Sequence, residues 1–284
     1  MADDTLRAAL VDLVRAVSAA GIRVFLGGGY GLYLKQLHLA STQQRTFLPV
    51  EAWPRPRGTP DLDIFLPTKI VVDIKHMVRL RAILDELGYK PDDRAKFMHF
   101  EKAVSQGNVR IELLTGPIGP ELFEKVRLNK LPRVRPKGEV ELHAYLTAEA
   151  VALDVDPLSI LLVEGVSVLI PNAFAFLLMK LHACRDRLDD EDKQLGRHHA
   201  LDVYRVLAML SEPESQLVRK LRREHHDNAA VIRAAQIAAE IFADITSRGA
   251  LRMREHALAS NDMHVERVVE LLHDLFQDVG PGPP

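Results

Sequence analysis

Asp61-Leu62-Asp63-Ile64-Phe65-Leu66 is the stretch whose reading decides the fold of this 284-residue chain. Successive side chains of a strand point to opposite faces, so Asp61 and Asp63 share one face while Leu62 and Ile64 turn to the other. Two unit charges held roughly 4 Å apart at an effective dielectric near 20 repel by about 4 kcal/mol, so such a pair needs a cation, a proton or open water. Mg²⁺ suits it, because that ion takes few protein carboxylates and completes its shell with water and substrate phosphate. Taken alone, Asp-x-Asp is more often a solvated strand edge or turn.

Its neighbours change that balance. Glu112, in Val109-Arg110-Ile111-Glu112-Leu113-Leu114, is a third carboxylate on a second segment of strand character, and it joins the pair if the two strands are neighbours. Upstream, Val24-Phe25-Leu26-Gly27-Gly28-Gly29-Tyr30-Gly31-Leu32 is an apolar strand entering a glycine turn and then a helix. Glycine there lets backbone approach a phosphate, and a helix start offers unpaired N–H groups to an anion. The turn matches neither G-x-G-x-x-G nor the P-loop spacing.

These residues resemble the polymerase-β-like nucleotidyltransferases, in the branch that holds the AbiE-type (AbiEii) abortive-infection toxins and related toxin nucleotidyltransferases. The likeness lies in Gly28-Gly29, in Arg57-Gly58-Thr59-Pro60-Asp61-Leu62-Asp63, in Glu112, in Pro171 through Lys180, and in His198-His199-Ala200-Leu201-Asp202-Val203-Tyr204, and spans roughly residues 20–210. It implies an α+β fold, a mixed-sheet nucleotidyltransferase domain followed by a helical C-terminal domain. It further implies Asp61, Asp63 and Glu112 as metal ligands and catalytic groups, with Mg²⁺ or Mn²⁺ as cofactor. Gly28, Gly29, Arg57, Thr59, Lys180 and Asp202 are the implied nucleotide-binding residues, and Arg187 is a further candidate from its place on the flank of Lys180. The chain departs from the family in two places. The interval between Gly29 and Asp61 is long, and residues 41–59, with Trp53 and prolines at 49, 54 and 56, read as an inserted loop that would cover the site. A Lys-Asp-x-x-Asp pattern stands here as His198-His199-Ala200-Leu201-Asp202, so only Asp202 transfers directly.

Helix periodicity bears on Lys180. Phe174, Leu177, Leu178, Leu181 and Leu188 follow i, i+3, i+4 spacing, with Lys180 off the centre of that stripe and Arg187 about 10 Å further along nearly the same flank. Pro171 suits a first helical turn, where its missing N–H costs nothing. In the next helix, near 197–210, Val203, Val206, Leu207 and Leu210 face inward, leaving His198, Asp202 and Arg205 adjacent as an ion-pair network. Arg219-Lys220-Leu221-Arg222-Arg223 reads as a solvated helical face, since no aromatics interleave to stack bases. His225 and His226 are adjacent and diverge on a helix, so they make no standard zinc pair.

At 47% apolar and 27% charged residues, with a net charge of −2, the composition is that of an ordinary soluble protein with core enough for two modest domains. One cysteine, Cys184, excludes an intrachain disulfide and reads as a small buried apolar group. No stretch approaches 18 apolar residues and the start is acidic, so a cytoplasmic protein without membrane insertion is expected. Helices are expected at 5–20, 29–39 and 70–88, strands at 22–27, 61–66, 96–102 and 108–114, and a hairpin from 158–163 and 166–170. The domains read as 1–170, catalytic; 171–279, helical and completing the nucleotide site; and 280–284, a disordered tail.

The expected chemistry is metal-dependent transfer of NMP from an NTP to an acceptor, an RNA end such as a tRNA or a protein hydroxyl, in a toxin-like protein with a cognate antitoxin. A catalytically silent nucleotide sensor or partner-binding protein on the same scaffold is the alternative. A nucleotidyltransferase acting on a small-molecule antibiotic is a second.

Overall fold

A computed structural model describes residues 3–57, 59, 61–105, 107–128 and 132–276. The expected tail at 280–284, and Gly58 and Pro60 of the acidic motif, lie outside the described residues. The chain divides into two compact units, residues 1–35 with 57–172 and residues 36–56 with 173–284.

The first unit holds the strands β1 (Phe25–Leu26), β2 (Asp61–Leu66), β3 (Lys90–Pro91), β4 (His99–Val104), β5 (Gly107–Thr115), β6 (Val126–Leu128), β7 (Arg133–Pro136), β8 (Ala144–Leu146), β9 (Leu158–Val163) and β10 (Val166–Ile170). Among the described residues they make one ten-stranded mixed sheet ordered β6-β7-β8-β5-β2-β1-β10-β9, with β4 pairing β5 and β3 pairing β4. The expected α+β class, a mixed sheet followed by helices, is what the chain forms. At the centre β2 runs parallel to β5, with Asp61 opposite Arg110 and Asp63 opposite Glu112. On its other edge β5 holds β4 along its first residues and β8 at its end. Alternation assigns the two faces. Leu62, Ile64, Leu66, Phe100, Ile111, Leu113 and Thr115 are buried, whereas Asp61, Asp63, His99, Arg110 and Glu112 on the opposite side are part-exposed or exposed.

Helices α1 (Asp3–Ala19), α2 (Gly28–Thr42), α3 (Thr68–Val71) and α4 (Ile74–Glu86) follow in chain order. Leu6, Leu10, Leu13, Val14 and Val17 give α1 one buried stripe, and it packs on β9, β10 and α4. The helix expected at 70–88 is two, because extended Asp73 accepts from Lys75 N–H at 2.8 Å and caps a fresh start. The strands expected at 96–102 and 108–114 run instead from 99 to 104 and 107 to 115, and the strand expected at 22–27 is only Phe25–Leu26. The hairpin at 158–170 forms as read, with Gly165 at φ +74 in its turn.

The second unit contains α5 (Ala173–Asp186), α6 (Arg197–Ala208), α7 (Glu212–Glu224), α8 (Ala229–Ile241), α9 (Arg248–Arg254) and α10 (Val265–Phe276). α5 packs on α6, α7 and α8, and α6 on α9 and α10. Pro171 precedes α5 rather than entering its first turn, as Asn172 spends its side chain on the carbonyls of Ala152 and Val155, both at 2.7 Å. The insertion read from sequence at residues 41–59 falls largely within residues 36–56, which group with these helices rather than with the first unit. A helix leaves its last carbonyls without partners. Here Phe47 and Leu48 supply N–H groups to the carbonyls of Leu210 and Ala208 at 2.7 and 3.0 Å, beyond and at the end of α6. Trp53 is buried and donates to the Leu48 carbonyl at 3.0 Å, and Tyr204 donates to the Ala52 carbonyl at 3.0 Å.

Candidate active site

The carboxylates sit in two rows across three strands. Asp63, Glu112 and His99 are registered partners on β2, β5 and β4; Asp61, Arg110 and Glu101 form the row beside them. Registered neighbours point to one side of a sheet, so the expected trio of Asp61, Asp63 and Glu112 does share a face. Sequence reasoning missed the groups between them. His99 Nε2 lies 3.2 Å from Glu112 Oε1, and Arg110 lies 2.8 Å from Glu101 and 3.5 Å from Asp61. The bond to Glu101 first, and then the charges of Asp61 and Glu101, raise the Arg110 pKa further, so it is a fixed cation in the face. A count was available: with two residues between Val104 and Gly107, stepping back along the hairpin puts His99 opposite Glu112 and Glu101 opposite Arg110.

The glycine turn closes one end of this face. Gly27 N–H donates to the Asp63 carbonyl at 2.8 Å, and α2 starts at the next residue with Gly31 N–H on the Gly27 carbonyl at 2.9 Å. Gly28 has φ +60, and a Cβ there would stand 1.5 Å from Asp63 Oδ2. The Asp63 carboxylate therefore lies against the first residue of a helix, where only hydrogen fits and where the dipole favours negative charge. At Gly29 a Cβ would meet Arg57 Nη2 at 2.9 Å and Thr59 Cγ2 at 3.3 Å. Thr59 Oγ1 also accepts from Asp61 N–H at 3.3 Å. Gly28, Gly29, Arg57, Thr59, Asp61 and Asp63 are thus one contiguous cluster around the start of α2.

Asp61, Asp63 and Glu112 have the hard oxygen donors that Mg²⁺ or Mn²⁺ prefers, and the absence of a Cβ at Gly28 lets the Asp63 carboxylate lie against the start of α2. As arranged, no group of three or more His, Cys, Asp or Glu among the described residues stands close enough to hold a metal ion. Asp61 leans to Arg110 and Glu112 to His99, so a cation would draw on these carboxylates in competition with the two pairs.

The other expected nucleotide ligands belong to the second unit. Lys180 does not lie on a solvated flank, because α5 is buried nearly all round. Its Nζ meets Asp202 Oδ2 at 2.8 Å while Arg205 Nη1 meets Asp202 Oδ1 at 2.8 Å, and all three side chains are at most 7% exposed. Arg205 also donates to the Arg55 carbonyl. Arg187 follows α5 and meets His199. His198 Nδ1 faces His256 Nε2 at 2.6 Å, where α9 packs on α6. Arg219 pairs with Asp274, and buried Arg222 donates to the Phe276 carbonyl at 3.0 Å, so that basic run is partly internal. Burial pushes the Cys184 thiol up to about 12.

Comparison with known proteins adds a loose structural likeness. No family model and no curated protein matches the chain. Among solved structures it is similar to the solution structure of the antibiotic-resistance factor ANT(2'')-Ia, at 14% identity and a TM-score of 0.40, over 83% of this chain and 98% of that one. No helix among the described residues is long and apolar enough to cross a membrane.

Proposed function

We propose that the chain is a metal-dependent nucleotidyltransferase that moves an NMP group from an NTP to an acceptor hydroxyl. The observation that supports this most is the meeting of Asp63 with Gly28: a carboxylate on a central strand set against the bare start of a helix, with Arg57 and Thr59 beside it. Gly28 and Gly29 present backbone N–H groups to phosphate, and Arg57 supplies a fork of donors for the same anion. Asp61, Asp63 and Glu112 would hold the divalent cation. When bound, it offsets charge on the attacking and leaving oxygens. The acceptor oxygen bonds to the α-phosphorus, the bond from that phosphorus to the α–β bridging oxygen breaks, and pyrophosphate leaves. Glu112 takes the acceptor's proton, and His99 orients its carboxylate.

Lys180, Arg187 and Asp202 are proposed nucleotide ligands on a separate footing, after the resemblance to AbiE-type toxins. Lys180→Met, which leaves the Asp202–Arg205 pair in place, then weakens NTP binding without unfolding the protein; unchanged binding removes Lys180 from the proposal. A toxin role with an antitoxin partner rests on that same resemblance.

The test incubates the protein with each labelled NTP, Mg²⁺ and total RNA, beside Asp61→Asn and Asp63→Asn. Label transferred to an acceptor by the wild type and lost by at least 10²-fold in both variants is the expected result. Transfer that survives both substitutions defeats the proposal. A nucleotide sensor is a second reading, favoured by the pairing of Asp61 with Arg110 and Glu112 with His99. NTP binding with no product on any acceptor would select it.

A further inference from the structure

The face that carries the carboxylates continues past them. From Glu112 it passes two residues on to Leu114, which is buried, then across to Tyr145 on β8, across to Arg133 on β7, two residues on to Arg135, and across to Arg127 on β6. The reverse side at these positions is Val126, Val134, Pro136 and Ala144, all buried, so the alternation holds to the edge of the sheet. At roughly 4.8 Å per strand, β7 lies about 14 Å from β2 across this face.

Three guanidinium groups gather there without the acids that hold other arginines of this chain. Arg127 and Arg135 are directly opposite each other, an arrangement that like charges make unfavourable and that a bound anion relieves. Arg135 donates to the Gly138 carbonyl at 2.9 Å, and Arg133 keeps Nε buried without a hydrogen bond. Among the described residues none of the three meets a carboxylate. Arg219, Arg233 and Arg248, by contrast, each pair with an acid. Opposite Arg133, the Tyr145 side chain is 39% exposed, an aromatic ring in the same row as the cations.

We propose that Arg127, Arg133, Arg135 and Tyr145 form a docking surface for single-stranded nucleic acid, with phosphates on the guanidinium groups and a base on the Tyr145 ring. Cations alone fit any polyanion; cations in register with an exposed aromatic ring fit a strand whose bases are unstacked. A surface on the carboxylate face can lead a strand's hydroxyl toward Asp61 and Asp63. That last role rests on the transferase proposal, while the binding does not.

The probe is a fluorescein-labelled oligouridylate of about 12 nucleotides, within the footprint of known single-strand binders, titrated by anisotropy at several salt concentrations with the full chain. Replacing Arg127, Arg133 and Arg135 together by Ala is expected to weaken binding at least about ten-fold and to lower the salt slope by about 2. Tyr145→Ala is expected to cost about five-fold or more, and Tyr145→Phe much less. Should the triple variant fail to fold by circular dichroism, Arg127→Glu at an exposed position takes its place. An unchanged affinity and slope in the arginine variants overturns the proposal. So does competition by polyglutamate or anionic vesicles as strong as by unlabelled oligonucleotide, with Tyr145→Ala neutral. Asp63→Asn is expected to bind the probe as the wild type does, so loss of transfer in that variant bears on the transferase proposal alone.

Discussion

Gly28 is where sequence and chemistry meet most directly. Both Gly28 and Gly21 have positive φ, at +60 and +70, yet a Cβ at Gly21 meets nothing within 4 Å while one at Gly28 would strike Asp63 Oδ2. Gly21→Ala therefore carries backbone strain alone, about 1 kcal/mol, and is expected to lower the thermal midpoint while leaving Mg²⁺-dependent NTP binding intact. Gly28→Ala adds displacement of the carboxylate and is expected to abolish that binding in a protein that still folds. Equal binding by the two variants would remove Asp63 from the site. The glycines, Asp61 and Asp63 were legible because a short motif carries its own geometry, while Glu112 joins them only through the pairing of β2 with β5. Arg110 and His99 were not singled out, since their part depends on which residue faces which across a hairpin.

At the scale of elements, α5 and α6 are joined through Lys180, Asp202 and Arg205. Each charge is buried, and one carboxylate is shared by two cations. Asp202→Ala leaves two buried cations with their shared partner gone and is expected to cost about 3–5 kcal/mol, read as loss of helical signal at lower urea. Lys180→Met leaves one pair whole and is expected to cost clearly less. If the two variants are equally stable, the triad does not anchor the helices. Periodicity placed Asp202 beside Arg205 correctly but set Lys180 only off the centre of the apolar stripe, because a helix packed on several sides shows no polar flank from which burial can be read.

For the whole molecule, the net charge of −2 conceals a sharp local separation: carboxylates at the centre of one sheet face and arginines toward its β6 edge. His143, stacked on Phe97 with ring centroids 4.6 Å apart, responds to that separation. Burial, then Arg135 and Arg133, hold its pKa down to about 4 from an ordinary 6.5. Between those values the unfolded chain binds a proton that the folded protein refuses. Stability is therefore whole above about pH 6.5 and falls as pH drops toward 4. His143→Phe is expected to flatten that part of the curve of unfolding midpoint against pH; an unchanged slope would assign it to other groups.

The sequence by itself determined the Asp61–Asp63 pair, the glycine turn before it and several of the elements, since alternation, glycine turns and helix periodicity are local rules. It carried the α+β class, the strand at Asp61–Leu66 and the hairpin at 158–170. Only the tertiary structure decided what depends on strand order and long-range packing. It set Glu112 beside Asp63 through the parallel pairing of β2 and β5 and gave residues 36–56 to the helices through the open carbonyls at the end of α6. It also brought Arg127, Arg133, Arg135 and Tyr145 onto the face of the carboxylates, because register sums over strands far apart in the chain and no local pattern records that sum.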